Sequence, residues 1–215
     1  MPGARAFVRP LWVGLVLLAA AVALGVWVHG GPLGIDRATQ EFFVSVRGPA
    51  LESIAFALNW VGGGWFAVYA VPLLGAALLA LRRRFWAAGY FVAALAVSAL
   101  FVQIVKHVFG RVRPDDMIVV SDFGSFPSGH TANAATMAVV LAVLFPRVWV
   151  AVAGAAWMAL MAMSRMLLGA HWLTDTVAGA LLGASAALLV AAAMLRPLAA
   201  EARRASAPDG GAARG

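Results

Sequence analysis

Three short stretches in the second half of the chain hold residue types suited to chemistry on anions. The first is Lys106, Arg111 and Arg113, closed by Pro114. Lys106 is the single lysine beside fifteen arginines. Lys106 and Arg113 stand seven residues apart, and neither has an acid four residues away. Asp115, Asp116 and Asp122 lie beyond the proline. A rigid guanidinium matches phosphate oxygens two at a time, and an ammonium adds a point charge. An anionic ligand would account for three unpaired cations here. The plain alternative is long basic side chains snorkelling to a membrane interface.

The second stretch is Phe126-Pro127-Ser128-Gly129-His130, a turn followed at once by an apolar run. Ser128 suits an N-cap. Free backbone N–H groups at a helix start make an anion site, and His130 could donate a proton there; a lone turn histidine can equally be structural. The third stretch is Ser164-Arg165, then His171, then Asp175. Four residues apart, His171 and Asp175 would share one face of a helical turn. A carboxylate on one imidazole nitrogen fixes the tautomer and leaves the other free as nucleophile or base. Asp175 could instead only compensate the positive end of a helix.

The elements that must position these groups follow from composition. The chain has 215 residues, 63% hydrophobic and 12% charged, with mean hydropathy +0.90. Soluble domains run at roughly 45–50% apolar and about 25% charged. A soluble globular enzyme and a disordered chain are both excluded. The net charge of +7 could suggest nucleic acid, but no Lys/Arg-rich block with interleaved aromatics exists. There is no cysteine, hence no disulfide frame or thiolate site.

A membrane helix needs roughly 20 mostly apolar residues. Six runs qualify: Leu11–Val28, Trp65–Leu81, Phe85–Val105, Thr131–Phe145, Val148–Met163 and Thr176–Leu195. The first is long for a cleaved signal sequence and reads as a retained span. Leu51–Leu81 is too long for one straight span, and the glycines at 62, 63 and 64 mark a break. Between the first two spans, Ile35, Thr39, Phe42, Phe43 and Val46 recur at helical spacing, with Asp36, Arg37, Gln40, Glu41 and Arg47 opposite. This stretch reads as an amphipathic helix lying at the outer interface, or as a plain connector. The fold class expected is all-α: a polytopic membrane protein of six spans forming one unit over residues 1–198. Residues 199–215 read as a disordered cytoplasmic tail. With the N-terminus inside, ten of the sixteen cations fall inside and six outside, so both termini should be cytoplasmic. The three polar stretches then share the outer face.

Taken together, Lys106-x6-Arg113-Pro114, Pro127-Ser128-Gly129-His130 and Ser164-Arg165-x5-His171-x3-Asp175 resemble the three-part signature of the type 2 phosphatidic acid phosphatase family. That superfamily includes vanadium-dependent haloperoxidases, whose known members are soluble. The resemblance implies that His171 attacks phosphorus and forms a phosphohistidine, that Asp175 orients it, and that His130 protonates the leaving oxygen and then activates water. Lys106, Arg113 and Arg165 would hold the phosphoryl oxygens, helped by Ser128 and the Gly129 N–H. It implies no metal and no cofactor. The substrate expected is a membrane lipid phosphate at the outer face, first undecaprenyl diphosphate, then phosphatidylglycerophosphate or phosphatidate. A transporter or lipid-handling relative without catalysis is the remaining alternative. Oligomeric state is not legible.

Overall fold

A computed structural model describes the backbone of residues 4–206 and the side chains of residues 9–205. The elements are α1 (Ala4–Val28), α2 (Gly34–Ser45), α3 (Pro49–Gly62), a π-helical turn (Phe66–Ala70), α4 (Val71–Leu81), α5 (Phe85–Phe109), α6 (Gly129–Leu144), α7 (Val148–Leu167), α8 (Leu173–Ala193) and α9 (Leu195–Ser206). No strand occurs among the described residues. Hydrocarbon offers the backbone no hydrogen-bond partner, so spanning segments close their bonds internally as helices.

The protein is a multi-pass membrane protein. Five segments are long and apolar enough to cross a bilayer: Arg9–Val28, Pro49–Leu81, Phe85–Phe109, Val148–Leu167 and Leu173–Ala193. The sixth expected span, α6, has 16 residues, or about 24 Å of helix against a hydrocarbon core of about 30 Å. It is packed among α5, α7 and α8. Pro49–Leu81 breaks at the expected glycines, with Gly63 extended and the π-helical turn following.

Helices α5, α7 and α8 extend past their expected ends at the functional face. Lys106, Arg165 and Asp175 therefore stand on helical turns rather than beyond them. Small residues let the inner helices approach closely. A Cβ on Gly179 would collide with the Ser128 carbonyl, and one on Gly183 with that of Ala132.

Two expectations need correction. Residues 199–206 are not a disordered tail but part of α9. Glu201 accepts hydrogen bonds from the Trp86 and Ala87 N–H groups at 2.7 and 2.9 Å. These are orphan donors of the first turn of α5, so the carboxylate gives the tail a reason to fold. The rest of the expected tail, 207–215, lies outside the described residues.

The second correction concerns α2. Its polar side is split: Asp36 and Gln40 are buried with Phe43, while Arg37 and Glu41 are exposed together with Ile35, Phe42 and Val46. Asp36, Gln40 and Arg47 reach inward to Thr174, Asp116 and the Leu167 carbonyl.

Candidate active site

Helix α5 stops at Phe109 because Gly110 turns left-handed, with φ 51°. The chain then leaves the helix, and Arg113 is carried by a loop, not by the second of two helical turns. The loop folds back so that Asp122 meets both cations. Lys106 Nζ donates to Asp122 Oδ1 and Oδ2 at 2.9 and 3.0 Å, and Arg113 Nη2 donates to Oδ1 at 2.8 Å. The expectation that Lys106 and Arg113 lack an acidic partner is thus corrected. Although burial pushes the Asp122 carboxyl up, Lys106 and Arg113 hold it below the usual carboxylate range. The Asp122 side chain is 58% exposed, so this carboxylate is open to competition from another anion.

His171 lies in the turn before α8, not on the helix, and this changes its partner. Its Nδ1 is 3.8 Å from Asp175 Oδ2 but 2.7 Å from the Ser125 carbonyl. A carbonyl only accepts, so Nδ1 carries the hydrogen and Nε2 keeps its lone pair. Arg113 Nη1, which only donates, stands 3.5 Å from that Nε2. Burial pushes the imidazole down to about 4, against the upward pull of Asp175. His171 is therefore neutral over the physiological range.

Asp175 has other tasks. Its Oδ2 accepts the Trp172 N–H at 2.9 Å, and its Oδ1 accepts Arg111 Nη1 at 2.5 Å. Arg111 Nη2 binds Asp36 Oδ2 at 2.7 Å, and Asp36 also accepts the Thr174 N–H at 2.9 Å. Burial raises the Asp36 carboxyl, but the Thr174 N–H and the Arg111 guanidinium bring it below its ordinary value. Arg111 is therefore no unpaired cation; it is buried between two carboxylates.

Ser128 caps α6 as expected, its hydroxyl accepting from Thr131 N at 3.4 Å. The first-turn N–H groups of Gly129 and His130 have no intrahelical acceptor. The Ser128 N–H donates to the Asp175 carbonyl at 2.9 Å, which joins the starts of α6 and α8. His130 Nε2 stands 3.2 Å from the Asn59 carbonyl, and a Cβ on Gly63 would overlap its ring. Arg165 is buried; its Nη1 donates to Asn59 Oδ1, and its Nε is buried with no partner. The helices thus bring Lys106, Arg113, Arg165, His130 and His171 to one end of the bundle.

Residues 87–197 match the PAP2 superfamily, the stretch that carries every one of these groups. The chain belongs to the PAP2 superfamily. A crystal structure of a transmembrane PAP2-type phosphatidylglycerophosphate phosphatase of Bacillus subtilis superposes with a TM-score of 0.70 at 25% identity, over 83% of this chain and 94% of that one. The decaprenylphosphoryl-5-phosphoribose phosphatase of Mycobacterium tuberculosis is 33% identical over 74% of this chain and 89% of that protein. The lipid A 1-phosphatase of Rhizobium johnstonii is 35% identical over 49% of this chain and 47% of its own length. The chain thus spans about half the length of that curated relative.

Sequence reasoning missed three residues of this PAP2 site, Asp36, Asn59 and Asp122, and the structural role of Arg111. Asp122 and Asn59 escape any spacing rule, since each meets its partners only through tertiary folding. Asp36 and Arg111 were legible as charges, but Arg37 stands beside the first and Asp115 four residues after the second, so nothing in the sequence pairs them with each other. The Ser125 carbonyl is backbone and leaves no mark in residue types. His107, next to Lys106, is exposed, with Nδ1 2.7 Å from the Gln103 carbonyl.

Proposed function

We propose that this PAP2 protein is a membrane lipid phosphatase working through a phosphohistidine on His171. The observation that carries the reading is the neutral Nδ1–H tautomer of His171, held by the Ser125 carbonyl at 2.7 Å, with its free Nε2 facing the Arg113 guanidinium at 3.5 Å. A phosphoryl group held by Arg113, Lys106 and Arg165 would meet that lone pair. Nε2 attacks phosphorus, the bond to the leaving oxygen breaks, and His130 supplies the proton. Water then attacks the phosphohistidine, His130 takes its proton, and inorganic phosphate leaves with His171 restored. The Asp175 carboxylate at 3.8 Å offsets positive charge on the phosphorylated imidazole. The unpartnered Arg165 Nε, the orphan amides of α6 and the Ser128 hydroxyl add donors where phosphoryl charge develops. Among the described residues no three His, Asp or Glu side chains gather as a metal site, and three cations stand where a metal would otherwise balance charge.

The similar proteins are named as phosphatases of lipid A, phosphatidylglycerophosphate and decaprenylphosphoryl-phosphoribose. These names support a phosphoester on a lipid-linked headgroup, and none of them is that of an undecaprenyl diphosphatase. Six spans, an interfacial α2, an outward site and cytoplasmic termini complete the reading. Purified protein in detergent should release phosphate from lipid phosphates with EDTA present, and His171→Ala should abolish this at unchanged thermal stability. Strict dependence on added magnesium, or full activity in that variant, would overturn the mechanism.

A further inference from the structure

The end of the bundle opposite His130 and His171 carries a second concentration of cations. A cavity of about 360 Å³ lies there between the α4–α5 turn and α9. Four arginines line it, Arg82, Arg83, Arg84 and Arg204, against one carboxylate, Glu201. Both Glu201 oxygens already accept the N–H groups that open α5. Among the described residues no ion pair takes Arg82, Arg83 or Arg204. Cations at one end of membrane helices can serve only to set orientation. Orientation does not require that they share a cavity, nor that one of them adopt a strained backbone. Arg83 has φ 54°. It closes α4 in a turn where the Arg84 N–H donates to the Leu79 carbonyl at 2.9 Å and the Arg83 N–H to that of Ala80 at 2.8 Å. Glycine is the usual residue at this position, because a Cβ is strained there. The five other positive-φ residues among those described are all glycines. Arg83 is therefore held against local preference, as residues at functional sites are.

A groove beside the cavity supplies an apolar counterpart. It holds about 560 Å³ between α6 and α7 and is lined by Met137, Leu141, Phe145, Trp149 and Trp157, with Arg147 as its one charged residue. Arg84 joins the two spaces: it lines the cavity, and its Cζ stands 5.3 Å from the ring centroid of Phe145. Cations thus gather at the head of an apolar groove on a protein that spans a bilayer. A molecule with fixed negative charge at one end and hydrocarbon at the other, present wherever such a protein resides, is an anionic phospholipid. Its phosphodiester fits the guanidinium fork, and tryptophans are favoured where hydrocarbon meets headgroups. The leaflet is not that of the active site. Lys106 is 21 residues beyond Phe85 on α5, about 32 Å along the helix axis, and a hydrocarbon core is about 30 Å thick.

We propose that this end of the protein binds one anionic phospholipid of the leaflet opposite the active site, with its phosphodiester against Arg82, Arg83 and Arg204 and one acyl chain in the α6–α7 groove. The lipid is a bound component and not a substrate: no histidine lines either space. Seated there, it ties the α4–α5 turn and α9 to the turn between α6 and α7.

The test titrates the full chain in detergent micelles with three ligands and counts bound molecules by native mass spectrometry. The ligands are phosphatidylglycerol, phosphatidylcholine with the same acyl chains, and glycerophosphoglycerol, which keeps the phosphodiester and lacks the chains. Phosphatidylglycerol should bind about tenfold more tightly than either of the others. Arg83→Gly should weaken that binding about fivefold, the effect of one basic side chain near an anionic headgroup. Without lipid, the same variant should unfold at no lower temperature than wild type, since glycine relieves the left-handed strain; a purely structural arginine would not separate the two readouts. Arg204→Gln, at an exposed position of α9, should show a similar loss of binding. Ala153→Phe, which fills the groove from an exposed position on α7, should weaken phosphatidylglycerol binding and leave glycerophosphoglycerol binding as it was. Equal affinity for the two lipids would overturn the proposal, as would either arginine variant binding as tightly as wild type. Glycerophosphoglycerol binding as tightly as the lipid would also overturn it, making the cavity a site for free phosphate esters. So would an Ala153→Phe variant that dissociates a dimer with lipid binding unchanged, since the groove would then belong to a second copy of the chain.

Discussion

Arg111 and Arg113 stand two residues apart on one loop and end in opposite environments. Arg111 lies between Asp36 and Asp175, with all three side chains at most 2% exposed. Arg113 is held by the carbonyls of Ala170, Asp122 and Gly124 and by a carboxylate that is 58% exposed. The first guanidinium has both Nη1 and Nη2 committed to fixed partners, with only its Nε buried and unpartnered, and cannot turn toward a ligand. The second is fixed by neutral carbonyls, while its one charged partner is displaceable. The sealed triad is closed to a ligand, and the open one is where the proposed phosphoryl group would bind. The two carboxylates of the sealed triad come from α2 and α8, so the triad ties the chain's first third to its last.

The sharpest way to break this contrast is to exchange the fates of the two arginines. Arg111→Leu should cost about 3–5 kcal/mol of stability, the usual penalty for stranding buried charges, and should be seen as loss of folded protein in a thermal unfolding scan. A variant as stable as wild type would show that the triad is not structural. Arg113→Ala should keep its melting temperature and lower kcat about 10²–10³-fold, as loss of one charge-stabilising donor does elsewhere. A large fall in stability with little effect on rate would erase the distinction.

Asp122→Asn probes the open side more gently. If Asp122 occupies cation sites that phosphate must take, the variant should bind inorganic phosphate about tenfold more tightly as a product inhibitor, since charged hydrogen bonds are worth about 1.5–3 kcal/mol. Weaker inhibition would make Asp122 a support for Lys106 and Arg113 rather than their competitor. The smallest effect concerns pH. Protonating His171 removes the Nε2 lone pair, so kcat/KM should fall as pH drops through about 4, well below the ordinary histidine value of about 6.5. An acid limb at 6.5 assigned to His171 would show that its imidazole is solvated.

The same contrast separates what the sequence made legible from what it hid. Lys106, Arg113, Ser128, His130, Arg165, His171 and Asp175 could be picked out because few charged or polar residues occur in so apolar a chain. Ser128 as a cap and the glycine break before the π-helical turn followed from local chemistry, and the structure has both. Pairings through the loop over 110–128 were hidden, because Lys106 and Asp122 are sixteen residues apart and no helical period links them. The His171–Asp175 spacing did bring the two within 3.8 Å, but the 2.7 Å contact to Nδ1 comes from Ser125, for a local reason. α8 begins at Leu173, so a helical-turn relation cannot start at His171. The polar side of α2 divides between the protein, which takes Asp36 and Gln40, and the surface, which keeps Arg37 and Glu41; helical spacing does not tell the two apart.

The glycines at 179 and 183 have a consequence for how the molecule breathes. With their backbones against Ser128 and Ala132, α6 and α8 can neither slide nor part without the other, so the turns bearing His130 and His171 behave as one cooperative unit. Amides in these turns should exchange hydrogen at one common, slow rate. The α3–α4 side, interrupted at Gly63, belongs to the faster-opening part of the molecule. On the mechanism proposed above, the α3–α4 side could then loosen while His130 and His171 keep their spacing.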